Sequence, residues 1–330
     1  MTPILLALLA GTALQQETPE QSRQEVARTD QGGLYVITGQ GGNVLFSTGP
    51  DGTFVVDDQF ARVAEENLAL IEEVSEAPLA FVLNTHYHGD HTGGNARFVD
   101  AGALVVSREA VRRRLVTGNT DDAGADEPDR EAALPVITFE QAASFYWNGQ
   151  PVRAVALPDA HTDGDAMAYF EGSDVLHTGD VFFSGRYPYV DVEGGGSVDG
   201  MIAGLERILE VAGPSTTVVP GHGPVGTEAE VEDALAMLRT AREAVQARID
   251  AGDGREAAIE ADPLADLNER YAWGFIDGDR MTGQLYDSLT MTGDEQASPT
   301  VQPADPADPV EPAVPATAPD TVAPTPNRGG

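Results

Sequence analysis

The sequence predicts an α/β fold in which two β-sheets are packed between layers of helices. Strand-length apolar runs and helix-period segments occur on both sides of the chain midpoint, which is typical of layered α/β domains. The run at 79–83 is apolar throughout and indicates a buried parallel strand. Asn148-Gly149 indicates a two-residue hairpin turn. With 330 residues, 41% of them apolar, the chain can bury one sizeable core.

The elements follow in order from hydrophobic period and turn signals. A Gly-Pro-Asp-Gly turn at 49–52 joins two of the early strands, and an apolar stripe supports the first helix. Strands are predicted at 34–37, 44–46, 54–56, 79–83, 103–107, 135–139, 143–147, 152–157, 166–170, 175–178 and 216–219. Helices are predicted at 61–74, 108–117, 198–211, 228–249 and 280–289.

The two ends of the chain differ in composition from its middle. Residues 1–13 carry a short apolar run and predict a secretory signal peptide, although no basic residue precedes the run. The run is too short to span a bilayer, so no stable membrane insertion is expected after cleavage. Residues 14–31 predict a linker, 32–294 a single folded domain and 295–330 a disordered Pro/Ala/Asp-rich tail. We expect a periplasmic or secreted protein.

Composition excludes several classes of partner and chemistry. The net charge is −35 at pH 7, and such a field repels nucleic acid and anionic membrane surfaces. We therefore expect a small-molecule substrate and no nucleic-acid partner. The chain has no cysteine, which excludes disulfides, thiolate metal ligands and cysteine nucleophiles. Any metal must be held by His, Asp and Glu.

Three of the six histidines lie within the hexapeptide HYHGDH at 86–91, directly after a predicted buried strand. In extended backbone residues i and i+2 point the same way, so His86, His88 and Asp90 project together. A turn into a helix after His91 swings that side chain away from the others. The hexapeptide can thus offer two imidazoles to one metal, and a carboxylate plus an imidazole to another.

Three later residues also stand near strand ends. His161 lies in a polar loop between strands, Asp180 directly follows a strand, and His222 lies between two glycines after another strand. Each alone is most often an ordinary turn residue. Ligands of α/β proteins bind at the carboxyl ends of strands, so their convergence with the hexapeptide predicts one metal site.

The run THYHGDHTGGN at 85–95 resembles the H-x-H-x-D-H signature of the metallo-β-lactamase superfamily. His161, Asp180 and His222 follow in the order of that family's remaining ligand motifs. The resemblance covers about 32–290. It implies an αββα sandwich, two mixed β-sheets flanked by helices, with a dinuclear metal centre between the sheets.

The resemblance also implies how the ligands are shared between two ions, expected to be Zn²⁺, with iron or manganese as alternatives. The first metal would be held by His86, His88 and His161. The second would be held by Asp90, His91 and His222, with Asp180 bridging both.

Differences within the family narrow the function. Flavodiiron members place Glu where this chain has His88, and most β-lactamases place Cys or Ser where it has Asp180. An aspartate there is similar to glyoxalase II, lactonases and ribonuclease Z. Glyoxalase II itself is disfavoured, because an exported protein would meet little glutathione and the C-terminal region has few basic residues to bind it. Ribonuclease Z is disfavoured by the negative charge.

These features predict a zinc-dependent hydrolase of a small ester, lactone, thioester or cyclic amide, β-lactams included. Two zinc ions lower the pKa of a bridging water from 15.7 to about 7, so hydroxide is available to attack a carbonyl carbon. Asp90 is the candidate catalytic residue that would orient this nucleophile. The alternative is a metal-binding protein without hydrolytic activity, such as an oxidoreductase or a redox relay partner.

A few remaining residues carry weaker signals. Arg186 and Tyr187 follow the predicted ligand Asp180 closely and are candidate substrate-binding residues. His177 is expected to pack in a strand, with support of the neighbouring aspartate as the alternative. The two tryptophans, Trp147 and Trp273, are expected in the core or against a hairpin rather than at the substrate.

Overall fold

The computed structural model describes residues 24–29, 33–118, 131, 133–157 and 159–291. The predicted signal peptide and the predicted disordered tail lie outside these residues, as does most of the predicted linker. Contacts divide the chain after Gln296, and every described residue precedes that boundary.

The first sheet has seven strands whose spatial order is their order in the chain. The first four are antiparallel, and β4 to β7 run parallel to one another. Its strands are β1 (Glu25–Arg28), β2 (Leu34–Thr38), β3 (Val44–Gly49), β4 (Gly52–Val56), β5 (Leu79–Leu83), β6 (Leu104–Arg108) and β7 (Ile137–Phe139).

The second sheet has five strands in the order β12-β11-β10-β9-β8. Four are antiparallel neighbours, and β12 pairs in parallel with β11. Its strands are β8 (Ala142–Trp147), β9 (Gln150–Ala156), β10 (Ala166–Phe170), β11 (Val175–His177) and β12 (Thr217–Val219). Both sheets are therefore mixed.

Helices cover the outer faces of the two sheets. They are α1 (Ala64–Val74), α2 (Gly89–Thr92), α3 (Asn95–Asp100), α4 (Glu109–Thr117), α5 (Val198–Leu209), α6 (Glu228–Asp250), α7 (Arg255–Glu260), α8 (Ala265–Tyr271) and α9 (Gly278–Thr290). Short 3₁₀ turns occur at Ala61–Val63 and Gly179–Val181. Within the described ranges, no helix is both long and apolar enough to cross a membrane.

Three apolar clusters account for the layering. The middle cluster joins the sheets: Phe54 of β4 meets Phe145 of β8 edge-on at 5.1 Å and Phe170 of β10 at 5.9 Å between ring centroids. A second cluster packs α1 and α3 on the first sheet. The largest packs α5, α6 and α9 on the second. The predicted αββα sandwich of two mixed sheets is confirmed.

The strand β1 corrects one prediction. Residues 25–28 lie within the segment predicted as a linker, yet they pair antiparallel with β2, from Glu25 opposite Thr38 to Arg28 opposite Tyr35. Three of the four residues are exposed, so the strand lacks the apolar alternation that identified its neighbours. Helices α7 and α8 were not predicted either.

Asn43 joins the first sheet to the turn after β12. Its side-chain nitrogen donates to the carbonyl oxygens of Pro220 and Gly223, at 2.9 and 3.0 Å. Its backbone N–H donates to the carbonyl of Gly221 at 2.7 Å. Because this turn also contains His222, the buried asparagine links the two sheets at the edge where the predicted ligands lie.

We predict that Asn43→Ala lowers the free energy of unfolding by about 1–3 kcal/mol, because it leaves two carbonyl oxygens without their donor. Denaturant titration followed by circular dichroism measures the change. Gln246→Ala is the control, since Gln246 makes only an exposed hydrogen bond to Asp250 within α6; its effect should stay within about 0.5 kcal/mol. Equal losses in the two variants would contradict this role of Asn43.

Candidate metal centre

The seven predicted ligands come together at one edge of the sandwich, where loops from both sheets meet. The hexapeptide leaves β5 with His88 in extended backbone (φ −64°, ψ 148°), and α2 then begins at Gly89. His161 lies in the loop from β9 to β10, Asp180 in the 3₁₀ turn after β11, and His222 in the turn after β12.

The ligand atoms form three overlapping groups, each with its atoms within 4.8 Å of one another. In these groups His161 Nε2 lies 2.9 Å from His88 Nδ1, and His91 Nε2 lies 3.1 Å from an Asp180 oxygen. The groups are His86, His88 and His161; His86, His91 and Asp180; and Asp90, His91 and His222.

Three buried polar atoms test whether a cation fits. Within the described part of the chain, His86 Nε2, His91 Nε2 and Asp180 Oδ1 make no hydrogen bond of acceptable geometry, although the last two atoms lie 3.1 Å apart. A buried polar atom without a partner costs about 1–3 kcal/mol, so such atoms are rarely left in place without a function. All three belong to one of the groups above, and imidazole nitrogen with carboxylate oxygen is a donor set that suits zinc. The residues fit a metal site.

A carboxylate in the first sheet orients the ligands that follow β5. Asp57 directly follows β4 and has left-handed backbone (φ 61°). It accepts hydrogen bonds from the backbone N–H and the hydroxyl of Thr85, at 2.7 and 2.8 Å, and lies 2.7 Å from His91 Nδ1. Thr85 Oγ1 in turn lies 3.1 Å from His86 Nδ1. Both imidazoles therefore present Nε2 to the metal site.

Asp191 has the corresponding role for His88, and the sequence did not identify it. Its Oδ2 lies 2.9 Å from His88 Nε2 and accepts the hydroxyl hydrogen bond of Tyr87. Its Oδ1 accepts a hydrogen bond from the backbone of Gly194 at 2.8 Å. His88 consequently presents Nδ1 rather than Nε2. Asp191 follows no buried strand, which was the signal that found the other acidic residues.

His161 is oriented by backbone rather than by a carboxylate. Its Nδ1 lies 2.8 Å from the carbonyl oxygen of Tyr189, which leaves Nε2 facing the site. The tyrosine ring lies at 5.7 Å from the imidazole, centroid to centroid. His161 itself is fully buried.

Two glycines are required by the crowding around the ligands. A Cβ at Gly42 would collide with the imidazole of His91, and a Cβ at Gly221 would collide with a carboxylate oxygen of Asp180.

His177 lies close to these glycines. Its Nε2 is 2.9 Å from the carbonyl of Asn43, and its Nδ1 accepts from the N–H of Gly179 at 3.2 Å. This buried histidine therefore holds the backbone that precedes Asp180.

Burial and charge separate the protonation states of the ligands. Burial lowers the pKa of His86 well below its ordinary value and that of His161 to about 4, so both are neutral at pH 7. Burial raises the pKa of Asp180, but the nearby His222 and His91 outweigh it and hold that pKa well below the usual range. A neutral imidazole and an ionised carboxylate are the forms that bind metal.

His222 is in the opposite state. Burial lowers its pKa, but the carboxylates of Asp180 and Asp90, at 3.3 and 3.1 Å, outweigh burial and raise the pKa to about 9. Without metal this imidazole carries a proton at neutral pH. The same two carboxylates, with Asp57, raise the pKa of His91 against the effect of burial.

An open cleft of about 910 Å³ lies above these residues. His88, Asp90, Asp180 and His222 form part of its lining. Its walls are formed by Phe60, Arg62, Phe183, Arg186, Tyr189, Trp273 and Phe275, with backbone from the β2–β3 turn and from Gly223 and Pro224.

Of the two predicted substrate-binding residues, only one lines this cleft. Arg186 lines it, with its guanidinium 4.8 Å from the ring centre of Trp273. Tyr187 does not, and its prediction was wrong: its side chain is fully buried against Tyr271, and its hydroxyl donates to Asn268 at 2.9 Å. Trp273, expected in the core, packs against the largest apolar cluster and also lines the cleft. Adjacent loop residues point to opposite sides, which spacing alone does not reveal.

Comparison with known sequences places this site among related proteins. The sequence model of the Metallo-beta-lactamase superfamily matches residues 28–222. The Hydroxyacylglutathione hydrolase of Methylococcus capsulatus is 30% identical over 195 residues, 57% of this chain and 66% of its own length. That of Gloeobacter violaceus is 26% identical over 145 residues, 40% of this chain and 49% of its own length. The matches therefore span less than two thirds of these relatives.

Solved structures share the fold. A metallo-beta-lactamase from Pontibacter korlensis superposes with a TM-score of 0.57 at 18% identity, over 66% of this chain and 99% of its own. The DIM-1 metallo-beta-lactamase superposes with a TM-score of 0.54 at 16% identity, over 66% of this chain and 98% of its own. At these identities the likeness extends to the fold alone.

We predict that Asp191→Asn weakens metal binding by about 10–100-fold, because His88 loses the carboxylate that orients it. Competition with a chromogenic chelator measures the affinity. The control is Asp199→Asn, which changes an exposed carboxylate paired with Arg242. Unchanged affinity in a folded Asp191→Asn protein would show that His88 needs no such support.

We also predict that zinc affinity rises with pH between about 6 and 8. His222 must lose its proton to bind metal, and its pKa without metal is about 9. Each displaced proton makes the affinity rise about tenfold per pH unit below that pKa. Proton release on zinc addition, read with an indicator in weakly buffered solution, gives the number displaced. No release at pH 7 would contradict the protonated state of His222.

Proposed function

Because the chain belongs to the metallo-β-lactamase superfamily, we propose that it is a metal-dependent hydrolase that cleaves the bond between the carbonyl carbon and its oxygen, sulfur or nitrogen substituent in a small ester, lactone, thioester or cyclic amide. The observation that carries the proposal is the set of three ligand groups at the base of an open cleft. A purely structural metal site would be closed to substrate. Here Asp90 and His222 keep 21% and 17% of their side chains exposed.

The ligand set supports a site for two zinc ions rather than one. Asp180 belongs to one of the three groups, and its oxygens also lie close to ligands of the other two: they are 3.1 Å from His91 Nε2, 3.3 Å from His222 Nε2 and 3.6 Å from His161 Nε2. A carboxylate with two oxygens can neutralise part of the charge of each cation. We therefore assign Asp180 as the ligand common to both ions.

Two zinc ions held there would activate a water molecule and polarise a carbonyl oxygen. Among the chain's own residues, Asp90 would orient the attacking water. Burial raises its pKa, but His91 and His222 outweigh this and lower it to about 2, so Asp90 is ionised at neutral pH. Its exposed edge lines the cleft, where the carboxylate would accept a hydrogen bond from the attacking water and orient it.

The names of the relatives bear on the substrate. Both are described as hydrolases of hydroxyacylglutathione, a thioester, although glyoxalase II activity was disfavoured from the sequence. Hydroxyacylglutathione therefore belongs in the substrate panel together with lactones, aryl esters and β-lactams.

The decisive experiment combines metal analysis with that panel. Zinc-reconstituted protein should hold about two equivalents by elemental analysis and should hydrolyse at least one class in the panel. Folded protein with bound iron and no turnover of any class would instead support the alternative of a non-hydrolytic redox protein.

We predict that Asp180→Ala lowers the metal content below two and reduces hydrolysis by at least about 100-fold, because the repulsion between the two cations loses its shared counter-charge. Asp100→Ala is the control: this exposed carboxylate on α3 makes only a surface pair with Arg97. Elemental analysis and initial rates are measured on both. Two tightly bound zinc ions and normal turnover in Asp180→Ala would refute the bridging assignment.

A further inference from the structure

One wall of the cleft is built by residues beyond the segment that matches the family. Trp273 and Phe275 lie between α8 and α9, whereas the family match ends at residue 222. Their rings lie 5.6 Å apart, centroid to centroid, and Phe275 is 5.7 Å from the ring of Tyr189. Phe275 is 48% exposed, an unusual state for a phenylalanine beside a polar site.

This aromatic wall is continuous with the metal ligands. Phe183 stacks on the imidazole of His222 at 5.3 Å and lies 6.5 Å from Trp273. At its other end Tyr189 stacks on His88 at 6.0 Å. An apolar group held against the wall would therefore lie beside the candidate metal site.

The wall is held in place by hydrogen bonds. The Trp273 indole N–H donates to the carbonyl of Tyr187 at 2.9 Å, and its backbone N–H donates to that of Ile276 at 3.0 Å. Arg280 donates to the carbonyl of Phe275 at 3.1 Å, and its guanidinium lies 3.9 Å from the phenyl ring centre. The surface is thus formed before any ligand arrives, which lowers the entropic cost of binding.

Another part of the cleft lining carries positive charge. The guanidinium of Arg62 lies 3.8 Å from the ring centre of Phe60, and its Nε donates to Gln40 at 3.1 Å. Arg62 forms no ion pair with any carboxylate in the described part of the chain. Arg186, 4.8 Å from the ring centre of Trp273, lines the same cleft. In a protein of net charge −35, cationic residues in the same cleft as an aromatic wall favour an anion.

We propose that the 273–275 wall and Arg62 together select an anionic aryl substrate, with the aromatic group against Trp273 and Phe275 and a carboxylate on the Arg62 guanidinium. This inference rests on the proposed hydrolase function, because it names the substrate class of that same cleft. It predicts that neutral and cationic aryl compounds of the same shape bind more weakly.

Binding can be tested without turnover. Trp147 and Trp273 are the only tryptophans, so Trp147→Phe leaves the wall indole as the only tryptophan fluorophore, which is excited selectively at wavelengths where tyrosine does not absorb. In zinc-reconstituted Trp147→Phe protein, 4-nitrobenzoate should quench this fluorescence with a Kd about five-fold lower than 4-nitrobenzamide, as expected of one exposed charge pair. The cationic 4-nitrobenzylammonium should bind more weakly still. If Trp147→Phe does not fold, the difference in quenching between wild type and Trp273→Phe reports the same site.

Three further variants assign the preference to residues. Arg62→Gln should make 4-nitrobenzoate and 4-nitrobenzamide bind equally. Phe275→Ala should weaken both by about three- to ten-fold, since it removes one aromatic partner. Tyr146→Ala is the matched control, an aromatic residue 74% exposed on the β8–β9 hairpin, and should change neither Kd.

The outcomes separate this proposal from the proposed function. Equal affinity for the three probes, or an anion preference that persists in Arg62→Gln, overturns the proposal even if the protein hydrolyses esters. The latter result would mean that the carboxylate binds the metal ions or Arg186 instead. Conversely, the expected pattern of Kd values supports the recognition surface even if no substrate in the panel is turned over.

Discussion

The structure depends on placing ionisable ligands from two sheets at one edge of the sandwich, where most of their side chains are buried from solvent. Six of the seven side chains are no more than 17% exposed, and three of their polar atoms make no hydrogen bond of acceptable geometry among the described residues. Such an arrangement is costly unless a cation occupies it. The surrounding fold is therefore organised to hold the ligands in place before metal binds.

Support for the ligands comes from outside the signature hexapeptide. Asp57 at the end of β4 and Asp191 in the loop after β11 each orient a different imidazole, and they select different ring nitrogens. Glycines at 42 and 221 supply the space, and Asn43 links the sheets beside them. Each of these residues contacts a ligand or the turn that carries one. The geometry of the site therefore depends on how the two sheets pack against each other.

The cleft is lined by two parts of the chain, one inside and one outside the segment that matches the family. Its base belongs to the strand ends that match the family model, while Trp273 and Phe275 come from the segment between the last two helices. This division is consistent with a shared reaction centre whose substrate preference is set elsewhere in the chain. The helical segment that carries the wall also packs on the second sheet, which keeps the wall rigid.

Much of the architecture follows from the sequence alone. Buried strands are recognisable in the sequence as apolar runs, and His161, Asp180 and His222 each follow such a run closely. The αββα fold and the seven converging residues could therefore be predicted. β1 could not, because its exposed residues carry no alternation. Asp191, Tyr187 and Trp273 lie in irregular loops, where side-chain direction has no period to read. Tertiary contacts decided these positions: Asp191 turns inward because His88 and Tyr87 contact it, and Tyr187 is buried because α8 packs over it.

The sequence by itself determined which residues can bind metal, through their chemistry and their places at strand ends. Only the tertiary structure decided which residues orient them and which line the cleft, because those positions depend on contacts between segments far apart in the chain.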